Sequence, residues 1–388
     1  MSSPSKRSSE VLVVGAGPTG LVLALWLKRR GIDVRIIDRA ERAGTTSRAL
    51  VVQARTLEFY RQLGIADDVV KHGLEFAAVN LWVRGEPVAH AVLGDIGRGL
   101  SPFPYLVVFP QDEHEDLLIE HLRREGVEVE RRTELVDFEE RGDRIVARLK
   151  GPDGAETETD ARYIAGCDGA HSRVRETLQF DFPGGTYERV FYVADAELNN
   201  PIANHELHVV LDDADLLIVF PMKGEHRVRF IGTVRREAEN HRDLTWDDVS
   251  STITARMKIH VDRVHWFSTY RVHHRVVRQF QRGRAFLAGD AAHVHSPVGG
   301  QGMNTGIGDA VNLAWKLAAV LHREADPSLL ETYEPERIAF ARRLVETTDR
   351  AFTVVTENGP LARWLRLGVA PAILPPLVRQ QAVRRLMF

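Results

Sequence analysis

The most constraining feature of the sequence is a glycine-rich segment that directly follows an apolar run. Residues 11–14 (Val-Leu-Val-Val) precede it, and a helical pattern of apolar residues continues from it to Gly31. A second apolar run at 34–37 then ends on Asp38. This order predicts strand, turn, helix and strand, a βαβ unit within about thirty residues. The glycines have the spacing G-x-G-x-x-G, at Gly15, Gly17 and Gly20.

The glycine spacing has a mechanical reason at each position. Gly15 permits a tight turn, and Gly20 lets the helix lie close to the sheet. Gly17 lets backbone N–H groups approach a pyrophosphate at the positive end of the helix. Asp38, eighteen residues after Gly20, can accept hydrogen bonds from ribose hydroxyls. Together they predict a dinucleotide site, for either NAD(P) or FAD.

Composition is that of an ordinary globular enzyme. The 388 residues are 44% hydrophobic, with 51 Lys and Arg against 54 Asp and Glu, so we expect no nucleic-acid partner.

The apolar run near the start is broken by glycines, which argues against a membrane span. We interpret residues 1–9 as a polar leader and not a signal peptide. The single cysteine, Cys167, excludes an internal disulfide and a C-x-x-C pair. We therefore expect a cytoplasmic protein that is not a disulfide reductase.

A second glycine-rich segment, near the other end of the chain, bears on which dinucleotide is bound. The apolar run 285–288 leads into Gly-Asp290-Ala-Ala-His293 and then into a helix entry that contains Gly302. Asp290 can accept hydrogen bonds from a polyhydroxy chain, and N–H groups at the helix entry suit an electron-rich ring edge. These features favour a flavin, although a merely flexible helix entry is the alternative. His293 and His295 alone are a poor ligand set, so we expect no metal.

Periodicity divides the chain into two kinds of structure. Helical and strand patterns alternate over much of the chain, whereas short strand-like runs dominate 187–275, with one helix near 246–256. We predict an α/β fold, a Rossmann-type FAD-binding domain with an inserted, mainly antiparallel β-sheet substrate domain. The expected boundaries are 1–75, 101–186 and 276–350 for the FAD-binding domain, 76–100 and 187–275 for the sheet domain, and 351–388 for a C-terminal helical tail.

Three blocks, taken together, resemble the class A flavoprotein aromatic hydroxylases of the para-hydroxybenzoate hydroxylase type. They are G-x-G-x-x-G at 15–20, C-D-G-A-H-S-x-V-R at 167–175 and the G-D-A-A-H-x-x-x-P block at 289–304. The blocks bracket nearly the whole chain. Baeyer–Villiger oxygenases carry two dinucleotide folds, whereas this sequence has one fingerprint, and the W-x-W-x-I-P motif usual in flavin-dependent halogenases is missing.

The resemblance implies roles for four residues in holding FAD. Asp38 would hold the adenosine ribose, and Gln111 would reach the sugar or phosphate region. Asp168 would contact both FAD and the nicotinamide donor. Asp290 would hold the ribityl chain. For Gln111 the alternative is an ordinary residue at a helix N-terminus.

The resemblance also implies residues near the reacting ring. Arg48 would lie near the flavin and the pyrophosphate, with a surface cation as the alternative. Pro297 would line the face at which oxygen reacts. The N–H groups of Met303 and Asn304, next to Gly302, would polarise the O2 carbonyl of the flavin.

The reaction that the resemblance implies is aromatic hydroxylation. NAD(P)H, with NADPH favoured, would reduce the flavin, and O₂ would add to give a flavin C4a-hydroperoxide that passes one oxygen atom to an aromatic substrate. Two other functions stay open: a flavin-dependent reductase or dehydrogenase of the same fold, and a non-catalytic flavin-binding protein that shields or delivers a pathway intermediate. We expect a monomer or homodimer.

The predicted sheet domain bears on the substrate class. Its strands are aliphatic, and the residues expected to line a chamber are Val209, Leu211, Leu217, Val219 and Ile231. Only Arg227 and Arg229 are candidates for clamping a small carboxylate, and their alternation on one strand is equally compatible with a face toward water. We therefore favour a phenolic or polycyclic, polyketide-like substrate of secondary metabolism over a simple hydroxybenzoate.

Overall fold

The computed structural model describes residues 8–44, 49–76, 78–92, 97–212, 216–234, 244–296 and 300–356, without the side chains of 250–253, 256 and 351–356. Strands in this part of the chain form two eight-stranded sheets and one three-stranded sheet. In chain order, the strands are β1 (Ser8–Val14), β2 (Val34–Ile37), β3 (Val51–Val52), β4 (Leu74–Glu75), β5 (Ala78–Val83), β6 (Glu86–Val92), β7 (Val107–Val108), β8 (Val129–Glu130), β9 (Glu134–Arg141), β10 (Arg144–Lys150), β11 (Glu156–Gly166), β12 (Gly184–Glu197), β13 (Leu207–Leu211), β14 (Leu216–Pro221), β15 (Arg227–Thr233), β16 (Arg263–Val276), β17 (Gln281–Arg282), β18 (Ala285–Leu287) and β19 (His293–Val294). The α-helices are α1 (Pro18–Arg29), α2 (Ala54–Gln62), α3 (Ala66–His72), α4 (Gln111–Arg124), α5 (Arg173–Thr177), α6 (Trp246–Arg256), α7 (Gln301–Leu321) and α8 (Tyr333–Thr356), and short 3₁₀ helices span Gly289–Ala291 and Pro327–Thr332.

The first sheet is the parallel core of a Rossmann-type unit. Its strand order is β17-β18-β11-β1-β2-β8, and the hairpin β9-β10 joins it antiparallel to β11. β1 lies between β11 and β2 and runs parallel to both. Val11, Leu12 and Val13 in β1 have no exposed surface, as expected for a parallel strand covered on both faces.

Helix α1 starts directly after the glycine turn and packs on this sheet. Pro18 occupies its first turn, where the missing N–H costs no helical hydrogen bond. Every side chain from 20 to 27 is buried. The helix ends at Arg29, Arg30 is its C-cap, and Gly31 has a φ of +76°, the left-handed conformation that closes many helices. The N-terminus of α1 therefore meets the carboxyl ends of β1 and β2 at one edge of the sheet.

The second sheet is mainly antiparallel and has its own hydrophobic cluster. Its order is β19-β16-β12-β15-β14-β13-β5-β6, and the long strands β12 and β16 pair along most of their 14 residues. One face packs against α6, where the rings of Phe230 and Trp246 are 5.0 Å apart. The ring of Tyr192 lies 6.0 Å from that of Trp246. Successive side chains point to opposite faces, so the other face of the sheet is directed away from α6.

The predicted fold class is confirmed. The strand expected at 34–37 and the helix expected near 246–256 are β2 and α6. Two features depart from expectation: β13 pairs with β5 in parallel, and β3, β7 and β4 form a small third sheet. The strands of the small sheet have two residues each, too few to produce a readable alternation. None of the described helices combines the length and apolar character that a bilayer span requires.

Candidate FAD and substrate site

The three glycines of the first fingerprint have different surroundings. A Cβ on Gly15, which has a φ of +101°, would lie 2.3 Å from the carbonyl oxygen of Cys167, and one on Gly20 would lie 1.9 Å from that of Gly15. Packing within the protein therefore requires glycine at both positions. A Cβ on Gly17 would meet nothing closer than Oε1 of Glu115 at 4.0 Å. The space in front of Gly17 is open, which fits the close approach of a cofactor pyrophosphate.

Asp38 at the end of β2 fixes the glycine turn. Its Oδ2 accepts the N–H of Ala16 at 2.6 Å, and its Oδ1 accepts the N–H of Ala40 at 2.7 Å. The guanidinium of Arg131 lies 3.8 Å from Oδ2, and Nη2 of Arg131 is buried without a hydrogen-bond partner among the described residues. A carboxylate oxygen can accept more than one hydrogen bond, so Asp38 can also bind ribose hydroxyls. Sequence reasoning missed Arg131.

Gln111 begins α4 beside the same site. Its Nε2 donates to Oε1 of Glu115 at 2.8 Å, and its Oε1 accepts a long hydrogen bond of 3.4 Å from the N–H of Ala49. Oε2 of Glu115 accepts the N–H of Gly44 at 3.2 Å. Glu115 is only 4% exposed, and burial raises its pKa. Sequence reasoning also missed Glu115, although its position one turn after Gln111 places both on the same face of the helix.

Asp168 of the middle block accepts hydrogen bonds from the first residues of the short helix α5. Its Oδ2 accepts the N–H groups of Arg173 at 2.7 Å and Val174 at 3.2 Å, whereas its Oδ1 is buried with no partner in the described part of the chain. Burial raises the pKa of Asp168, against the lowering effect of the hydrogen bonds from Ser172 and these N–H groups. An unpaired buried carboxylate oxygen is costly. It is the kind of atom that a bound ligand satisfies.

The three sequence blocks meet in space. Gly15 touches Cys167 of the middle block. Thr19 touches the C-terminal block, because its Oγ1 lies 2.6 Å from where a Cβ on Gly289 would be. The middle and C-terminal blocks are joined by Arg175, which donates to the carbonyl oxygen of Ala291 at 3.0 Å. Blocks separated by more than a hundred residues thus form one continuous wall.

A buried ion cluster supports the loop that carries Asp290. Asp309 on α7 accepts the N–H of Gly289 at 3.0 Å, Nε2 of His293 at 2.7 Å and Nε of Arg337 at 2.6 Å. Burial alone would raise the pKa of Asp309, but His293 and Arg337 hold it below its usual value. Asp290 itself is exposed at the start of the 3₁₀ turn. The geometry directs His293 to Asp309 and leaves Asp290 at the surface of the site.

The first turn of α7 is held by one side chain. Oδ1 of Asn304 accepts the N–H of Gln53 at 3.0 Å and the hydroxyl of Thr56 at 2.7 Å, and its Nδ2 donates to the carbonyl oxygens of Val51 and Gly300, each at 2.8 Å. The Asn304 side chain therefore pins the helix entry to β3 and α2. A backbone role for Asn304 toward the flavin stays a prediction.

The N-terminal end of α7 offers donors to a ring edge. The N–H groups of Gly302 and Met303 lie in the first turn, where no helical acceptor exists. A Cβ on Gly302 would meet nothing closer than the His295 ring at 3.8 Å. Nε2 of His295 and Oγ of Ser296 are buried without described partners. Burial lowers the pKa of His295 to about 4, helped by His293, so this imidazole is neutral near pH 7.

Two predicted catalytic residues, Arg48 and Pro297, lie outside the described residues. Their roles stay predictions. Three groups contain the remaining predicted positions: the three joined blocks, the end of β2 and the start of α4. They are Gly15, Gly17, Gly20, Asp168, Asp290, Gly302, Met303 and Asn304 on the blocks, Asp38 after β2 and Gln111 at the start of α4.

Two of the five predicted lining residues of the second sheet pack against α6 instead of facing a chamber. Leu217 and Val219 belong to the cluster that packs on α6, so the prediction that they line a substrate chamber is wrong. Val209, Leu211 and Ile231 alternate with members of that cluster and point to the opposite face. The predicted aliphatic lining thus loses two of its five members, because strand alternation places them on the far side.

One of the two arginines considered as binding residues for a substrate carboxylate, Arg229, already binds a carboxylate of the protein. Arg229 is 1% exposed and binds Asp195 through two hydrogen bonds of 2.5 and 2.7 Å. Arg227, on the same face, is half-buried. Both arginines lower the pKa of Glu113 at the start of α4, although burial raises that pKa overall. The face of β15 that carries them therefore looks toward the start of α4.

Comparison with known proteins assigns the family. A family model described as "FAD binding domain" matches residues 8–348. The 6-methylpretetramide 4-monooxygenase of Streptomyces rimosus is 38% identical over 375 residues, and the aligned region covers 96% of this chain and 65% of that relative. The chain thus spans a little under two thirds of the length of this relative.

Solved structures give the same result. The p-nitrophenol 4-monooxygenase PnpA of Pseudomonas putida has a TM-score of 0.86 at 26% identity, over 98% of this chain and 97% of that one. Aklavinone-11 hydroxylase, in a ternary complex with FAD and aklavinone, has a TM-score of 0.81 at 28% identity, over 93% of this chain and 71% of that one. The predicted FAD cofactor and the resemblance to aromatic hydroxylases are both confirmed. The chain belongs to the family described as "FAD binding domain", and it is similar to these monooxygenases and this hydroxylase.

Proposed function

We propose that this chain is an FAD-dependent monooxygenase that uses NAD(P)H and O₂ to hydroxylate an aromatic substrate. The convergence of the three blocks carries the proposal, since Gly15 touches Cys167 and Thr19 touches Gly289. A dinucleotide fingerprint alone would serve a dehydrogenase equally well. Its contact with a second, flavin-type glycine block favours a flavin. The relatives that are named as monooxygenases support oxygen chemistry on that flavin.

Residues of this chain would hold FAD along the joined blocks. The turn at Gly17 and the N-terminus of α1 would bind the pyrophosphate, and Asp38 would bind the adenosine ribose. Asp290 would bind the ribityl chain. The N–H groups of Met303 and Asn304, next to Gly302, would face the pyrimidine edge, where negative charge develops when the flavin is reduced. The flavin supplies the hydride-accepting and oxygen-activating chemistry when bound.

The second sheet would form the substrate domain over this cleft. Its cluster with α6 makes it a stable unit, and its opposite face is directed toward the start of α4. We propose the domain boundaries given by the sequence, 1–75, 101–186 and 276–350 against 76–100 and 187–275, with 351–388 as a separate tail. Excluding water beneath the sheet would protect a reactive oxygen species from wasteful breakdown.

We further propose a large, mainly apolar aromatic substrate of the polyketide type. The pairing of Arg229 with Asp195 supports this, because a buried arginine that is already paired with a carboxylate is a poor anchor for a substrate carboxylate. The names of the relatives extend from p-nitrophenol to 6-methylpretetramide and aklavinone. Our choice within this range rests on Val209, Leu211 and Ile231.

The test of this function is turnover with labelled oxygen. The purified protein should be yellow with bound FAD, and NAD(P)H oxidation in ¹⁸O₂ should place one labelled atom in the aromatic product. A reductase of the same fold would consume donor without labelling the product, and a non-catalytic carrier would not consume donor at all. Bound NAD with no flavin after gentle purification would contradict the proposal.

We also propose a cytoplasmic location and a monomeric or homodimeric state. Support for the location is the lone cysteine, Cys167, which is buried and forms no disulfide. Sedimentation of the holoprotein would determine the oligomeric state. Fractionation of the source cells would test the location.

A further inference from the structure

Glu115 is a buried carboxyl group that the proposed reaction does not use. It lies on α4 one turn after Gln111, and 4% of the residue is exposed. Its Oε1 accepts Nε2 of Gln111 at 2.8 Å, and its Oε2 accepts the N–H of Gly44 at 3.2 Å. Oε1 is also the closest atom, at 4.0 Å, to where a Cβ on Gly17 would lie. The carboxyl group therefore forms one wall of the open space in front of the glycine turn.

The charged groups around Glu115 act in opposite directions. Burial is the largest influence and raises its pKa, whereas the hydrogen bonds from Gln111 and Gly44 lower it. The cation of Arg131 also lowers the pKa, and the carboxylate of Asp38 raises it. The net pKa is above that of an ordinary glutamate before any cofactor enters. Arg48 lies outside the described residues.

A pyrophosphate adds negative charge to the same space. The turn at Gly17 and the positive end of α1 are the elements that bind this group in dinucleotide folds. A carboxylate beside it would be repelled, and a buried carboxyl group responds to a like charge by taking up a proton. Once protonated, a carboxyl group gains an O–H that can donate a hydrogen bond. Protonation of Glu115 would thus replace a carboxylate that repels the pyrophosphate with a carboxylic acid that donates a hydrogen bond to it.

We propose that Glu115 binds the FAD pyrophosphate as a neutral acid, taking up one proton from solvent as the cofactor enters and donating its O–H to a phosphate oxygen. This inference rests on FAD binding and is independent of hydroxylation. It assigns a cofactor-positioning role to a residue outside the three sequence blocks.

The proposal fixes the direction of a pH effect. A group whose pKa rises on binding contributes its full share of affinity below the pKa of the free protein, and that share is lost as pH rises toward the pKa of the complex. Between the two values the dissociation constant of FAD should rise by about tenfold per pH unit. Outside this window, the affinity should level off.

The direct test is calorimetric titration of the apoprotein with FAD in buffers that differ in ionisation enthalpy. The dependence of the observed heat on the buffer gives the number of protons taken up. Wild type should take up close to one proton more than Glu115→Gln, because the amide keeps a similar shape but cannot titrate. Glu120→Gln is the matched control, since Glu120 is on the same helix but exposed, paired with Arg124. This variant should behave as wild type.

The outcomes separate clearly. If Glu115→Gln takes up as many protons as wild type, the proton belongs to another group and the proposal is wrong. If wild type takes up no proton at any pH between the ordinary glutamate pKa and neutral pH or above, the proposal is wrong whatever the variants do. Should Glu115→Gln fail to fold, infrared difference spectra of wild type decide the question. FAD binding should add the C=O stretch of a protonated carboxylic acid, and its absence would overturn the proposal.

Discussion

His293 and Asp309 form a fully buried hydrogen-bonded pair, with 2.7 Å between Nε2 and Oδ2. The pair joins the strand after Asp290 to the middle of α7, and Arg337 on α8 binds the other carboxylate oxygen. A histidine in a G-D-A-A-H block, which attracts attention as a possible catalytic or metal-binding residue, is thus committed to holding the loop. Its neighbour Asp290 remains directed to the surface.

The first prediction concerns this carboxylate. Asp309→Asn should destabilise the fold by about 1.5–3 kcal/mol, because it removes the charged acceptor shared by the N–H of Gly289, the ring of His293 and the partly buried Arg337. The lowered pKa of Asp309 means that the stabilisation is present above the ordinary aspartate pKa of about 4 and is lost as pH falls through the folded value. The gap between wild type and variant in urea unfolding should therefore be constant across neutral pH. The control is Arg342→Ala, at an exposed position on α8, the helix that carries Arg337. This variant should leave the free energy of unfolding nearly unchanged.

Two glycine variants should lose different properties: Gly20→Ala should lose stability, and Gly17→Ala should lose affinity for FAD. Gly20→Ala drives a methyl group to within 1.9 Å of the Gly15 carbonyl oxygen, so it should cost about 1–3 kcal/mol or prevent folding. Gly17→Ala meets no such obstacle and should fold normally. Its methyl group should weaken FAD binding by about tenfold or more, by blocking the approach of the pyrophosphate. Unfolding curves and flavin fluorescence titrations measure the two effects. An equal loss of stability in both variants would contradict the assignment.

These glycines show what could be inferred from sequence alone. A turn, a helix and two strands leave local patterns, so β1, α1 and β2 were predictable. The family resemblance implied that residues of all three blocks hold FAD, and therefore that the blocks lie together. Glu115 and Arg131 leave no such signal, because their role depends on contacts with Gly44 and Asp38, many residues away along the chain. From sequence alone, a glutamate on a helix is expected to be a solvated charge, because the packing of that helix is not known.

The sheet illustrates a second limit. Alternation identifies strands but does not say which of their two faces is turned to a ligand. Leu217 and Val219 were assigned to the chamber, but they pack against α6. Arg229 was a candidate clamp, yet its partner Asp195 stands on the neighbouring strand β12. Cross-strand register determines both outcomes, and a single sequence does not contain it.

The third prediction tests the ribityl contact. Asp290→Ala should fold as wild type, because Asp290 is exposed and Asp309 holds the loop. Its flavin content after purification should fall sharply, since a polyhydroxy chain loses a charged acceptor. The absorbance ratio of flavin to protein measures this loss. Asp143→Ala, in the exposed turn between β9 and β10, is the control. A fully loaded Asp290→Ala protein would remove Asp290 from the site.

The fourth prediction concerns Arg48. A fixed cation beside the flavin would stabilise the negative charge of the reduced ring. Arg48→Ala should therefore slow flavin reduction or oxygenation by about a hundredfold, with a smaller effect on substrate binding. Stopped-flow absorbance separates these steps. Arg42→Ala changes an exposed cation in the adjoining segment and should leave the rates unchanged. Normal rates in Arg48→Ala would make Arg48 a surface residue.

The last prediction is the substrate class. Burial of an apolar ring surface against Val209, Leu211 and Ile231 favours large aromatic compounds. A phenol is preferred, because its ionised oxygen makes the ring nucleophilic enough to attack an electrophilic oxygen. The measurement is NAD(P)H oxidation coupled to hydroxylation over a panel of hydroxybenzoates, simple phenols, quinones and polycyclic polyketides. We expect polycyclic phenols to accelerate flavin reduction and to give coupled product.

Arg227→Ala refines this last test. Arg229 is bound to Asp195, so Arg227 is the remaining candidate on β15 for holding a substrate carboxylate. For a polycyclic phenol without a carboxylate, the variant should keep its coupling and its KM. If only small hydroxybenzoates give product, and Arg227→Ala raises their KM by about tenfold or more, the apolar chamber is wrong. The substrate is then an aromatic acid whose carboxylate binds at Arg227, with Glu113 nearby to tune the charge of that end of the cleft.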